Sequence, residues 1–197
     1  SEQDMKDWLE RLKNYLGITM KIKSILPLRN LFDKRDLFFL NPYPQKLRKT
    51  EGNLNINKKK FFFDIRFSDD KLINHIKDNF KSAATAQKSK ADIVITFKIQ
   101  DIKLKAEGYK LVIGKDTVNI TGQDAAGVFY GLQTLSQIFS FLQSNIPCLE
   151  ITDWPDYKIR SVMIDMGRAV YPVKLIKRII RIMALLKLNS LHLHLFD

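Results

Sequence analysis

Residues 151–197 read ITDWPDYKIRSVMIDMGRAVYPVKLIKRIIRIMALLKLNSLHLHLFD, and this stretch decides the fold. Its segment 160–166 is short and largely apolar, which predicts a strand. Pro172 suits the first turn of a helix, and apolar residues at helical spacing extend that helix to about residue 186. Residues 190–196 predict a second strand. Strand, helix and strand in this order predict a parallel pair joined by a crossover.

The preceding residues show an α+β pattern. Ser68-Asp69-Asp70 precedes an apolar helical pattern and can cap that helix, and Asp124 is expected to be the N-cap of a helix over 125–141. Gly127 and Gly131 lie four apart on that helix. Because a glycine inside a helix costs about 1 kcal/mol relative to alanine, they predict close packing on a sheet. Strands are predicted at 61–67, 92–99, 107–113 and 117–121, the last two forming a hairpin, and residues 144–147 as a loop.

The N-terminal part differs in character. Residues 4–16 carry apolar side chains at helical spacing and predict an amphipathic helix, followed by a linker to residue 40. The prolines in 41–44 break regular structure, so we place a domain start there. The 197 residues are too few for a closed (β/α)₈ barrel, which needs roughly 250.

The formal net charge of +12 raises the question of nucleic-acid binding. The charge is uneven: residues 1–60 hold 14 Lys+Arg against 7 Asp+Glu, residues 61–157 hold 11 against 12, and residues 158–197 hold 8 against 2. The longest basic run, 58–60, follows a polar loop and is interpreted as a solvated turn or as a phosphate-binding patch. No nucleic-acid-binding motif accompanies it. Nucleic-acid binding remains the alternative to an enzyme.

Cysteine content and hydropathy exclude further classes. Cys148 is the single cysteine, which excludes an intramolecular disulfide. No window reaches the roughly 20 apolar residues of a membrane span, and no signal peptide is visible at the first residues.

Polar residues follow both predicted strands of the βαβ unit, where parallel α/β folds place their sites. Asp165 and Arg168 end the first strand, and Asp197 follows the second. Arg168 and Asp197 on adjacent strand ends are suited to clamping the hydroxyls of a polar ligand. A plain ion pair between the strands fits the spacing equally well.

His192 and His194 lie on one face of the second strand. This H-x-H spacing suits two metal ligands and is similar to the first-strand pair of metal-dependent amidohydrolases. His75, the remaining histidine, lies on a distant predicted helix, so no third ligand is placed. The other interpretation is a pair of hydrogen-bonded histidines beneath a ligand site.

The stretch 151–197 resembles the start of the catalytic barrel of β-N-acetylhexosaminidases of glycoside hydrolase family 20. Its motifs I-x-D-x-P, D-x-x-R, K-x-N and H-x-H-x-x-D match that family in order. The earlier segments NPYPQ and EGYKLVIGKDTVNITGQDAAGVFYGLQTLSQ resemble the small domain that precedes the barrel. The resemblance implies an α+β accessory domain, with an antiparallel sheet and helices, over 42–150. An incomplete (β/α)₈ barrel fragment over 151–197 follows it, and 1–41 is an N-terminal helix and linker.

The resemblance also implies roles for individual residues. Arg168 matches the arginine that holds sugar hydroxyls, and Asp197 matches an aspartate supporting the active site. Arg160 matches a structural arginine, and His192 and His194 match an H-x-H that binds no metal. Two departures concern this chain: Ser161 replaces a usual glycine, and Ala169 replaces a common histidine after the substrate arginine.

The implied parent activity is hydrolysis of terminal N-acetylglucosamine or N-acetylgalactosamine from glycans by substrate-assisted retaining catalysis, without metal or cofactor. The family's catalytic Asp-Glu pair belongs to a later strand, so we expect this chain to be inactive alone. The alternatives are a non-catalytic carbohydrate-binding or scaffold protein and a nucleic-acid-binding module. The resemblance implies an exported (periplasmic or secreted) or lysosomal location. Uncovered strand edges predict self-association, packing on the accessory domain or local disorder.

Overall fold

The computed structural model describes residues 37, 39–80 and 84–196. The helix predicted over 4–16, most of the following linker and Asp197 lie outside these residues. Pro44–Asp156 forms one compact unit, and residues 157–196 belong to another together with the described residues up to Tyr43.

The first unit contains a six-stranded sheet and two α-helices. Its elements are β1 (Lys46–Asn55), β2 (Phe61–Arg66), α1 (Asp70–Asn79), β3 (Ile93–Ile99), β4 (Tyr109–Ile113), β5 (Thr117–Gly122), α2 (Ala125–Leu142) and β6 (Asn145–Asp153). A 3-10 turn, Lys88–Lys90, precedes β3. The strand order across the sheet is β1-β6-β4-β5-β3-β2.

This sheet is mixed, so the prediction of an antiparallel sheet was wrong. β2 pairs with β3, and β3 with β5, in parallel, whereas β1, β6, β4 and β5 pair antiparallel. The reason is the connection through α1, which returns the chain to the same end of the sheet before β3 begins. The hairpin of β4 and β5 is confirmed.

A further prediction was wrong. Residues 144–147 were expected to be a loop, but β6 begins at Asn145. The polar loop expected before the basic run is short and covers residues 56–57, because Lys46–Asn55 is a strand that pairs with β6. The predicted boundary between residues 150 and 151 falls inside β6.

Both predicted N-caps are confirmed. The Asp69 carboxylate accepts a hydrogen bond from the Leu72 backbone N–H at 3.0 Å, and Asp124 accepts from that of Gly127 at 2.8 Å. The glycines of α2 also pack as expected, since a Cβ on Gly131 would lie 2.7 Å from the Ile120 side chain. Helix α2 therefore lies close against the sheet.

The second unit contains β7 (Ser161–Asp165), α3 (Val173–Leu185) and β8 (Ser190–His194). β7 and β8 are parallel, as the sequence predicted. Pro172 is the N-cap residue of α3, and Met183 and Leu185 of that helix are buried. None of the described helices is long and apolar enough to cross a membrane.

Candidate functional site

The ends of β7 and β8 lie side by side. Asp165 is in register with His194, and Met163 is in register with His192. The Met166 backbone N–H donates to the His194 carbonyl at 2.7 Å, which continues the pairing past the last strand residue. Because side chains alternate along a strand, Asp165, His192 and His194 share one face of this pair.

Asp165 organises this strand end. One carboxylate oxygen accepts the backbone N–H of Arg168 at 3.1 Å, and the other lies 3.3 Å from Arg168 Nε. The first oxygen also lies 3.6 Å from His194 Nδ1. A carboxylate that is 30% exposed thus contacts both a guanidinium and an imidazole.

Arg168 itself remains open to solvent, with 81% of its side chain exposed. An ion pair this exposed contributes at most about 1 kcal/mol, so Asp165 orients the guanidinium without sequestering it. A planar group with five donors, held at its Nε side, is suited to binding sugar hydroxyls or a carboxylate. The ion pair observed is with Asp165, the last residue of β7, three residues before Arg168. The predicted partner Asp197 lies outside the described residues, so the clamp of Arg168 and Asp197 stays a prediction.

The two strand histidines share a face, as predicted, but differ in surroundings. His194 is half-buried beside Asp165, whereas His192 is exposed. Within 39–80 and 84–196, no three His, Cys, Asp or Glu side chains are grouped so that they could hold a metal ion. The 3.6 Å between His194 Nδ1 and Asp165 is an ion-pair distance, longer than a hydrogen bond, so both interpretations of the two histidines stay predictions.

Arg160 lies just before β7, at the end remote from Arg168. Its Nε donates to the Lys187 carbonyl and its NH1 to the Tyr157 carbonyl, each at 2.7 Å. Its backbone N–H donates to the Asn189 side chain at 2.9 Å, and the Asn189 side-chain amide donates to the Lys158 carbonyl, also at 2.9 Å. Arg160 and Asn189 therefore join the turn after α3 to the start of β7. These contacts indicate a structural role for Arg160.

His75, the third histidine, lies in the first unit on α1. Its ring stacks on Phe129 of α2 with centroids 5.2 Å apart and lies near Gln133 and Asn79. Burial lowers the pKa of His75, and Asp78 opposes this shift in part. These neighbours indicate that His75 packs between α1 and α2.

Sequence reasoning missed a buried polar cluster in the first unit. The Tyr109 hydroxyl donates to Asp153 at 3.0 Å and lies 2.6 Å from the Thr134 hydroxyl. Burial, followed by the nearby Asp153 charge, raises the pKa of Tyr109 well above its usual value. The other Asp153 oxygen accepts the backbone N–H groups of Gln45 and Trp154. The cluster joins both ends of this unit, and no local sequence pattern indicates it.

The basic run 58–60 forms a turn before β2. Lys59 pairs with Asp92 at 3.1 Å, and the Lys60 backbone N–H donates to the same carboxylate at 2.9 Å. These bonds lower the pKa of Asp92. They support the interpretation of this run as a turn.

Comparison with known proteins divides the chain near the boundary between the two compact units. Residues 38–154 match the model of glycosyl hydrolase family 20, domain 2, and residues 157–197 match that of the family's catalytic domain. A β-hexosaminidase of Porphyromonas gingivalis is 39% identical over 105 residues, covering 49% of this chain and 14% of that protein. β-Hexosaminidase B of Pseudoalteromonas piscicida is 32% identical over 109 residues, covering 55% of this chain and 14% of that protein.

A solved structure gives the same result. The crystal structure of β-N-acetylhexosaminidase from Bacteroides fragilis superimposes with a TM-score of 0.66 at 28% identity, covering 77% of this chain and 32% of that one. The chain thus spans about a seventh of the length of the two curated relatives and about a third of this structure. The two family models together match more than half of the sequence, and the chain belongs to glycoside hydrolase family 20.

Proposed function

We propose that this chain provides the accessory domain and the first strand–helix–strand unit of a β-N-acetylhexosaminidase that removes terminal N-acetylglucosamine or N-acetylgalactosamine from glycans. The observation that carries the proposal is the exposed Arg168 guanidinium, oriented by Asp165 at the end of β7. The relatives described above, β-hexosaminidases and a β-N-acetylhexosaminidase, support the same activity. The proposed boundaries remain 42–150 for the accessory domain and 151–197 for the start of the barrel.

In this proposal Arg168 holds hydroxyls of the terminal sugar. Its forked donors match pairs of sugar oxygens, and Asp165 contacts the guanidinium at Nε while 81% of the side chain stays exposed. His194 contacts Asp165 from the neighbouring strand and so helps to hold that carboxylate in place. Arg160 acts at a distance by joining the turn after α3 to β7. Asp197 is proposed as an active-site support.

We propose that the parent enzyme uses the substrate-assisted reaction that the family resemblance implies. The acetamido oxygen of the substrate attacks the anomeric carbon, an aspartate orients that amide, and a glutamate protonates the leaving oxygen. In the family's pattern, both of these carboxylates belong to a barrel strand later than β8. We therefore propose that the chain of 197 residues has no hexosaminidase turnover by itself.

A chimera tests the proposal. Residues 42–197 replace the matching region of the Porphyromonas gingivalis relative, and turnover of a fluorogenic N-acetylglucosaminide is measured. We expect turnover by the chimera and none by the chain alone. Arg168→Ala in the chimera should lower kcat/KM about a hundredfold, because two hydrogen bonds from a charged group are lost. Arg181→Ala, which removes an arginine from the exposed side of α3, is the matched control.

Two outcomes would contradict the proposal. One is a folded chimera in which Arg168→Ala and Arg181→Ala have the same small effect. The other is a folded chimera that binds the sugar without turnover, which would favour a carbohydrate-binding or scaffold protein. An exported or lysosomal location and self-association stay predictions, although exposed apolar side chains such as Val170 and Phe196 fit the latter.

A further inference from the structure

The sheet of the first unit has two different faces. Tyr109, Leu111 and Ile113 of β4 are buried, and Tyr109 lies next to Gly131 of α2. Between them, Lys110 and Val112 are exposed, and Val112 is 38% accessible. We call the side of Lys110 and Val112 the open face. Among the described residues, both α-helices of this unit contact each other, and α2 lies against the buried face.

Strand register places a line of cations across the open face. Lys110 is opposite Thr152 on one side and Thr121 on the other. Thr152 is opposite Lys46, Thr121 is opposite Lys98, and Lys98 is opposite Arg66. These pairs form one continuous row across all six strands, in the order Lys46, Thr152, Lys110, Thr121, Lys98 and Arg66. We call its four cations, Lys46, Lys110, Lys98 and Arg66, the cationic row.

The spacing of the row follows from sheet geometry. Neighbouring strands lie about 4.8 Å apart, so Lys46, Lys110 and Lys98, each two strands from the next, are about 10 Å apart. Threonines occupy the intervening positions. Lysines therefore alternate with threonines along the row, and of these threonines Thr152 is partly exposed and Thr121 is buried.

The carboxylates of the open face do not neutralise its lysines. In the neighbouring row, Glu150 pairs with Arg48 at 2.8 Å, and Asp64 pairs with Arg66 at 2.7 Å. No ion pair to Lys46, Lys98 or Lys110 occurs among the described residues. Lys46 Nζ lies 5.7 Å from the centroid of the Trp154 ring, so one end of the row combines a cation with an aromatic surface. These two rows of the open face thus carry five cations, Lys46, Arg48, Arg66, Lys98 and Lys110, against two carboxylates, Asp64 and Glu150.

We propose that the cationic row binds an extended acidic glycan that carries one carboxylate per disaccharide. The spacing of about 10 Å between lysines is comparable with the length of a disaccharide unit, so successive carboxylates can meet successive ammonium groups. Thr152 is partly exposed, so its hydroxyl can reach a sugar between two of the lysines, whereas Thr121 is buried. Trp154 offers an apolar ring for the face of one sugar.

The same geometry disfavours a nucleic acid. A duplex carries one charge per roughly 1.7 Å of its axis, much denser than lysines about 10 Å apart. A single strand is usually held by several aromatic side chains on which successive bases stack, whereas the row has an aromatic residue only beside Lys46. The observations therefore favour a sparsely charged glycan.

Binding of a hyaluronan decasaccharide to the 197-residue chain tests this inference, measured by calorimetry at low and at physiological salt. We expect saturable binding that weakens as salt rises. The double variant Lys98→Gln/Lys110→Gln should bind about tenfold more weakly, because two exposed ion pairs are lost. The matched control Lys174→Gln/Lys177→Gln removes two lysines from α3 and should bind like the parent. Unchanged circular dichroism must accompany each variant.

Four results would overturn the inference. They are no binding at low salt, equal weakening in both double variants, equal binding of a neutral chitin oligosaccharide, and tighter binding of a single-stranded oligodeoxythymidylate of the same length. The second would indicate attraction by net charge alone, and the last would favour nucleic acid. The measurement involves no turnover, so its failure is distinguishable from failure of the proposed hydrolase activity.

Discussion

Gly127→Ala should destabilise the first unit, although alanine is the better helix former. Gly127 lies in the first turn of α2, with Gly108 and Gly122 of the sheet side against it. A Cβ there would lie closer to the Gly108 carbonyl oxygen than atoms can approach, and 3.2 Å from the Gly122 Cα. These neighbours are backbone, so they cannot rotate away as a side chain would.

The expected magnitude combines one gain and two losses. Alanine gains about 1 kcal/mol of helix propensity over glycine. Overpacking typically costs about 1–3 kcal/mol, and backbone contacts place this site at the upper end. The Gly108 carbonyl also accepts the Gln123 backbone N–H at 2.8 Å, so displacing it weakens a hydrogen bond worth about 1 kcal/mol. We expect a net loss of about 2–3 kcal/mol.

Urea unfolding followed by circular dichroism measures this loss. With a slope of about 1–3 kcal/mol per molar urea, the midpoint should fall by roughly 1 M. Ala126→Gly, one residue earlier in the same turn, is the control, and it should cost at most about 1 kcal/mol because only propensity changes. A midpoint for Gly127→Ala equal to or above that of the parent would refute the packing argument.

Two other changes have defined outcomes. Arg160→Ala should lower hydrogen-exchange protection of the β8 amides by about 2 kcal/mol, because two bonds from a charged group to the Lys187 and Tyr157 carbonyls are lost; Arg181→Ala should not, and equal protection in both variants would contradict the structural role. Burial lowers the pKa of His75 in the folded state, so the unfolded state binds more protons near its ordinary pKa of 6.5. Stability should therefore fall as pH decreases from about 7 to 5, less steeply in His75→Gln, and an identical pH dependence of the urea midpoint in the two proteins would exclude His75 as a cause.

The elements that are predicted correctly are those that a few neighbouring residues encode. Asp69 and Asp124 stand directly before apolar helical patterns, and both are N-caps. The alternation in Tyr109–Ile113 matches strict alternation of buried and exposed residues. Each of these features is encoded within a few neighbouring residues, so the pattern is legible without knowledge of the rest of the chain.

The missed strands depend on distant partners. Lys46 is paired with Thr152 and Asn55 with Asn145, so β1 and β6 meet only when the ends of the unit come together. β1 is an edge strand with mostly exposed residues, and it has neither the alternation nor the apolar run of a buried strand. Pro147 made β6 resemble a loop, but an interior strand can hold it where register shifts, as it does between Lys49 and Asn53.

The candidate sites show the same distinction. Asp165 and Arg168 are close in the sequence motif D-x-x-R, but their ion pair was not predicted, because the interstrand pair of Arg168 and Asp197 was expected instead. The cationic row comes from four strands whose lysines and arginine are separated by long stretches of chain. Counting charges by segment gave 11 basic against 12 acidic residues over 61–157, which suggested a neutral middle.

That count sums charged residues that lie on different faces of the sheet or in different elements. Lys98 and Lys110 lie on the open face, whereas Asp69 and Asp124 cap helices and Asp153 accepts hydrogen bonds from Tyr109 in the interior. Acidic residues used in caps and buried clusters neutralise the segment in the sum but not on that surface. A segment whose charges nearly cancel in the sum can therefore contribute to a positive face, and only the strand register shows which charges share that face.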